Sequence, residues 1–273
     1  KDVPKNNNIK AKTEENHHKY GRPVNIHLIW ENSQKFQEYS QKYRVSVRMA
    51  AFKTTLPDPL PGEEYNVALA ADMLAGTIVN PGEIFSLNAI IGPYTAERGF
   101  KEGPAYRGNQ VVKTIGGGVC KIASTLYNLI ILADLKVVER HAHGMLVPYV
   151  PPGQDATISS DNIDFKFENT ATHPVLIWAD TKKNTLYMAI YGRSKPPKVV
   201  WHHRISNRQK NITVYRNNPA LRKGTQRVVV PGAEGMTVES WLTIENANGK
   251  TITRKLGVDH YRPMPRVIER GVS

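Results

Sequence analysis

Cysteine is all but missing from this chain: Cys120 is the only one in 273 residues. A single thiol permits no intrachain disulfide, which excludes a small disulfide-stapled scaffold and leaves an extracellular address open. No run of 18 apolar residues occurs, so nothing in the sequence reads as a membrane-spanning helix. Basic runs of five or more are absent too, and no nucleic-acid motif accompanies the formal net charge of +13, which argues against a nucleic-acid partner. The charge does predict attraction to polyanions, of which an anionic membrane surface and an anionic bacterial wall remain. Because the sequence begins at Lys1 rather than Met, an upstream signal or anchor is expected, and membrane contact is expected only through it.

What is present suffices for a large core, since 40% of the residues are hydrophobic and the length allows two domains. Residues 1–22 are polar and without period, and read as a disordered lead or spacer. From 23 to 195 two helical patterns stand among many short strand-like runs, which argues an α+β fold. The first helix is expected over Glu63 to Gly76, where Val67, Ala70, Ala71 and Leu74 share a face. Strand-like runs are Val24–Trp30, Val45–Thr55, Lys136–His143, Met145–Val150, Phe165–Phe167, Val175–Ala179 and Thr185–Tyr191. Residues 94–112, with Arg98, Tyr106 and Arg107, read as a long irregular segment, of the kind that is more often functional than idle. Ser194-Lys195-Pro196-Pro197 marks a boundary, and 196–273 reads as an all-β tail with a hairpin turn at Asn248-Gly249. That tail offers no titratable cluster suggestive of chemistry and reads as a small adhesive module.

The second helical pattern carries the chemistry. Gly116-Gly117-Gly118 precedes Val119, and apolar residues then recur at Ile122, Ala123, Leu126, Leu129, Ile130 and Ala133, one buried face. The glycines read as a tight turn where backbone approaches a ligand. Cys120 then falls in the first helical turn, where free N–H groups and the helix dipole favour a thiolate. Downstream, His141-Ala142-His143 lies on a strand-like run, and residues two apart on a strand face the same way. Three readings stay open: Cys–His nucleophilic catalysis, a metal site completed by Cys120 or Asp155, and two histidines with purely structural surroundings. Asp155, after Pro151-Pro152-Gly153, can orient a histidine or cap its own turn. Arg98 and Arg107 can hold a carboxylate or remain solvated charge.

Residues 48–192 resemble a VanW domain. The likeness is carried by Asn80-Pro81-Gly82-Glu83-Ile84-Phe85-Ser86-Leu87-Asn88, by Gly92-Pro93-Tyr94-Thr95 with Arg98-Gly99-Phe100, and by Gly116-Gly117-Gly118-Val119-Cys120 through Asn128. Glu139-Arg140-His141-Ala142-His143, Tyr149-Val150-Pro151, Gly153 and Asp155-Ala156-Thr157 complete it. The chain departs from the usual pattern at Lys121, Ile122 and Gly144. The tail resembles a G5 domain through Arg227–Gly232, Gly235, Asn248-Gly249-Lys250 and Tyr261-Arg262-Pro263.

The first resemblance implies L,D-transpeptidase activity on peptidoglycan, with Cys120 as nucleophile, His143 or His141 as base and Asp155 as orienter. It further implies an oxyanion hole at Gly117 and Gly118, with the Cys120 N–H, and substrate contacts at Arg98, Tyr149 and Ser124. Peptidoglycan stem peptides and the anionic wall are the expected partners, no cofactor or metal is expected, and the expected place is the cell surface of a Gram-positive-type bacterium. A non-catalytic wall-binding protein and a metal-dependent hydrolase are the competing expectations.

Overall fold

In the computed structural model, which describes residues 21–272 apart from residues 58, 108, 109 and 161, the architecture follows from two strands that are apolar at both parities. Strands β9 (Val175–Lys182) and β10 (Thr185–Gly192) are buried on both faces through most of their length, so they must lie inside a covered sheet. They pair antiparallel, and β10 pairs in turn with β2 (Val47–Thr55). Strand β1 (Gly21–Pro23) closes one edge and β3 (Thr77–Val79) the other, giving the order β1-β2-β10-β9-β3. Gly21 and Arg22, read as part of the polar lead, thus belong to the sheet; the rest of that expectation, residues 1–20, lies outside the described residues.

The period of two sorts the side chains of this sheet into two cores. Leu186, Met188, Ile190, Ile177 and Ala179 face helices α2 (Glu63–Leu74) and α4 (Cys120–Leu132). Ala189, Tyr191, Leu176 and Trp178 face α1 (Gln34–Tyr43), where Phe36 meets the Trp178 ring edge-on at 5.3 Å. Helix α1 begins where Ser33 accepts the Phe36 N–H on its side chain, a capping interaction worth about 1 kcal/mol. Val24–Trp30 forms no strand: Leu28 and Trp30 drop into this second core from a loop, and the Trp30 indole donates to the Tyr191 hydroxyl at 2.9 Å.

A smaller sheet, β4 (Ile84–Ser86), β8 (Lys166–Glu168) and β7 (Lys136–Glu139), stands beside α4, with the short helix α3 (Leu87–Ile91) following β4. The segment read as irregular is mostly regular: one 3₁₀ turn at Ala96–Arg98, then a hairpin of β5 (Glu102–Arg107) and β6 (Gln110–Ile115). The side chains of Tyr106 and Arg107 lie outside the described residues. Met145–Val150 alternates in burial without sheet pairing, because Met145, Val147 and Tyr149 anchor a loop in the core.

The tail holds two three-stranded sheets. One is β11 (Lys198–Gln209), β14 (Gly235–Glu245) and β15 (Thr251–Tyr261), all antiparallel. In the other, β16 (Arg266–Gly271) pairs antiparallel with β13 (Gln226–Val230) and parallel with β12 (Thr213–Asn218). The first sheet packs on α4. Leu242 and Ile244 join the main core, and Trp201 meets Tyr127 edge-on at 5.3 Å. Helix α4 is therefore covered on both sides, and every residue from Lys121 to Ile131 is buried.

Candidate functional site

Helix α4 starts at Cys120, which fixes the sulfur at the end of the helix where N–H groups are unsatisfied. The glycines before it are demanded by packing. A side chain at Gly117 would stand 2.2 Å from the backbone of Gly103 in β5, and at Gly118 (φ +102°) it would strike Glu63. Their close approach is therefore to the β5 strand and α2. Asn66 of α2, fully buried, locks this arrangement by donating to the carbonyls of Gly117 at 2.9 Å and Lys101 at 2.8 Å. The Gly117 N–H is already given to the Thr114 carbonyl at 3.1 Å. Of the three N–H groups expected in an oxyanion hole, that leaves Gly118 and Cys120.

The Cys120 side chain is partly exposed. Its sulfur lies 3.4 Å from the Thr157 hydroxyl and 3.6 Å from the Ile158 carbonyl, and it hydrogen-bonds the His143 side chain. Nδ1 of His143 is 2.6 Å from Oδ2 of Asp155, and the same oxygen accepts the His143 backbone N–H at 2.7 Å. With Nδ1 so engaged, Nε2 is the nitrogen left for the thiol. Asp155 is 1% exposed. Its other oxygen accepts from the Tyr261 hydroxyl at 2.5 Å and from Arg140 Nη2 at 3.3 Å. Arg140 also donates Nε to the Asp155 carbonyl at 2.8 Å and Nη1 to Asp259 at 2.6 Å, lying over the Tyr127 ring.

Charge follows from this geometry. Burial pushes the Cys120 thiol up, but the His143 hydrogen bond and positive charge, helped by Thr157 and a backbone hydrogen bond at Ile158, bring it below its ordinary value. Burial alone would lower His143, yet the bonds to Asp155 and Cys120 raise it to about 10. The Asp155 carboxyl, which burial would raise, is held below its ordinary value by His143 and Arg140. The arrangement stabilises a thiolate–imidazolium pair, the charge state in which a thiol is nucleophilic.

Cys120, His143 and Asp155 are thus brought together, with Gly117 and Gly118 in the turn just before the thiol, whereas the other candidate side chains are held by different partners. His141 is half-exposed with Nε2 3.3 Å from Glu139. Sheet pairing after β7 is limited at this point to a single bridge between His141 and Thr157, so the strand that would have put both imidazoles on one face does not continue. Arg98 is half-buried, and its guanidinium donates to the Ile90 carbonyl at 3.2 Å. Tyr149 is buried in the main core. Ser124 is fully buried and clamps Ala156, accepting its N–H at 2.9 Å and donating to its carbonyl at 3.0 Å. It fixes the segment carrying Asp155 and Thr157. Lys121 turns inward to Glu64 at 2.9 Å. Sequence reasoning missed Arg140, Thr157, Asn66 and Tyr261 as site residues; all but Asn66 stand within quoted motif stretches, Tyr261 in one of the tail's.

A cleft of about 520 Å³ opens beside His143 and Thr157, and its opposite wall is the tail, with Thr237, His260 and Arg262. A second cavity, about 820 Å³, lies across Arg140 and Asp259 and is lined by neither Cys120 nor His143. Among the described residues no group of three or more His, Cys, Asp or Glu side chains is placed to hold a metal ion, and no helix is long and apolar enough to cross a membrane.

Comparison with known proteins places these features. Residues 62–191 match the family described as VanW like protein, and residues 208–273 match the G5 domain. The chain is 37% identical over 128 residues to the uncharacterized protein YoaR of Bacillus subtilis (strain 168), covering 47% of this chain and 42% of that protein. It is 25% identical over 138 residues to the vancomycin B-type resistance protein VanW of Enterococcus faecalis (strain ATCC 700802 / V583), covering 48% of this chain and 50% of that protein. The matches thus span half or less of each relative's length. Among solved structures, an IgA1 protease G5 domain matches at 23% identity, TM-score 0.19, over 30% of this chain and 99% of that one. The HP0197 G5 domain matches at 17% identity, TM-score 0.16, over 27% and 99%. The chain carries a VanW-like domain followed by a C-terminal G5 domain.

Proposed function

We propose that this protein is a peptidoglycan L,D-transpeptidase acting through a cysteine thioester. The observation that carries the reading is the hydrogen-bonded line from Cys120 through His143 to the buried Asp155. The VanW homologue, a vancomycin resistance protein by name, supports a cell-wall-related role, and the +13 charge suits an anionic wall. On this reading the protein works outside the membrane, at the surface of a Gram-positive-type bacterium, with the G5 domain keeping it on insoluble substrate.

The reaction would use the groups as follows. The Cys120 thiolate attacks the carbonyl between the third, L-oriented stem residue and the terminal D-Ala, and the N–H groups of Gly118 and Cys120 receive the oxyanion. Collapse breaks the C–N bond, and imidazolium His143 gives its proton to the departing D-Ala amine. The acyl group is now a thioester. An acceptor side-chain amine attacks it and loses a proton to His143, the C–S bond breaks, and the 3→3 cross-link is formed with the thiolate restored. Water in place of the amine gives carboxypeptidase activity.

The test is mass spectrometry of muropeptides after incubation with disaccharide-tetrapeptide, wild type beside Cys120→Ala. A cross-linked dimer that has lost one D-Ala, absent from the variant, is the expected result. Folded protein giving no product on several stem peptides, with Cys120 inert to alkylation, would leave a wall-binding protein as the better account.

A further inference from the structure

Strand β15 ends against the VanW-like domain. Residues two apart on a strand face the same way, and Asp259 and Tyr261 both turn toward that domain, Asp259 to Arg140 at 2.6 Å and Tyr261 to Asp155 at 2.5 Å. His260, between them, bonds Thr237 on its own sheet. The Tyr261 oxygen also accepts the Gly153 N–H at 2.9 Å, so it holds both Gly153 and Asp155 in one short segment. The next residue, Arg262, donates its backbone N–H to the Gly144 carbonyl at 2.8 Å, tying down the loop that follows His143.

A carboxylate held by one oxygen pivots about it. Both bonds from His143 fall on Oδ2 of Asp155, so the orientation of the group depends on what holds Oδ1. There the Tyr261 hydroxyl stands at 2.5 Å and Arg140 at 3.3 Å, which makes the phenol the closer anchor. Tyr261 is 4% exposed, and burial with the charge of Asp155 keeps its proton in place, so it acts as a donor.

We infer that Tyr261, a residue of the G5 domain, is a positioning residue for the Cys120–His143 pair: its hydroxyl fixes the Asp155 carboxylate, which fixes the imidazole against the thiol. The reacting site is therefore completed by the tail, which is more than an adhesive module. The inference rests on the reading of Cys120 as nucleophile.

The experiment measures the rate of iodoacetamide alkylation of the full chain against pH, for wild type, Tyr261→Phe and Val258→Ala, with thermal melting in parallel. Val258 is exposed on the same strand and serves as the control. Wild type should titrate below the ordinary thiol value of 9.0. Tyr261→Phe should move that midpoint up by about half a pH unit and slow alkylation at pH 7 by roughly threefold, since the rate follows the thiolate fraction. Val258→Ala should match wild type. With a muropeptide substrate, Tyr261→Phe should lower kcat about tenfold and leave KM within about twofold, the pattern of a lost transition-state interaction.

A Tyr261→Phe profile that superimposes on wild type overturns the inference while leaving the nucleophile reading intact. A wild-type midpoint at or above 9.0 defeats the nucleophile reading itself. Should Tyr261→Phe not fold, 3-fluorotyrosine at position 261 keeps the shape and strengthens the donor. It keeps the anchor on Oδ1, so the imidazole stays placed and the midpoint should stay at or below the wild-type value; a rise with the stronger donor counts against the inference.

Discussion

At Cys120 two opposing effects act on one sulfur: burial favours the neutral thiol, and the adjacent imidazolium favours the thiolate. The second prevails because His143 is itself held positive by Asp155. Removing the imidazole should therefore be felt twice, in thiolate population and in proton delivery. His143→Gln should raise the alkylation midpoint toward the ordinary thiol value and lower turnover on muropeptide about 10³-fold, within the range for loss of a general acid–base group. His141→Gln should stay within about twofold of wild type, as expected for a half-exposed side chain. Equal losses in the two variants would contradict the assignment of the base. From sequence, Cys120 was legible because three glycines and an apolar period fix a helix start at that point. The choice between the histidines was not, since it depends on where sheet pairing lapses after Glu139, and alternation alone does not record that.

The turn before α4 and the helix itself work as one element. Gly117 lies so close to β5 that even a methyl group would meet the backbone of Gly103 and Pro104, and backbone cannot swing aside as a side chain does. Gly117→Ala should lower stability by about 3 kcal/mol or more, the upper range for overpacking, read as a fall in denaturant midpoint. A neutral result would mean that β5 and the turn can separate without cost. The same glycines were read as room for a ligand; they serve strand and helix packing, and only contacts made across the fold distinguish the two uses. The segment from Gly153 to Thr157 was legible through its Pro-Pro-Gly lead, whereas its clamp by Ser124 was not, because the two lie 32 residues apart.

For the whole molecule, charge ties stability to pH at both extremes. Asp155 is held below its ordinary 3.8 in the folded chain, so its contribution is present above that value and is lost as pH falls through the lower native one. His143 is raised from 6.5 to about 10, so its contribution is full below 6.5 and is lost as pH rises through about 10. Cys120, lowered from 9.0, gains over the window in which His143 loses, so the two cancel up to about 9. The melting temperature should fall at the acid end and, at the alkaline end, only above about 9. His143→Gln should change that alkaline limb; one indifferent to the variant would refute the linkage.

The α+β class was legible from two helical patterns among short strands, and the all-β tail from its turns. What could not be read was the docking of one on the other, because Asp155 and Tyr261 are 106 residues apart and no local pattern spans that distance. The hydroxyl at the end of β15 also bears on modularity. If the tail were exchanged for another β-rich module of the same outline but with no donor at position 261, both halves would keep their sheets while the carboxylate lost its closest hold on Oδ1. On the inference drawn from Tyr261, the two domains are joined by side-chain chemistry as well as by a peptide bond, and recombination should separate them only at the expense of the thiol's reactivity.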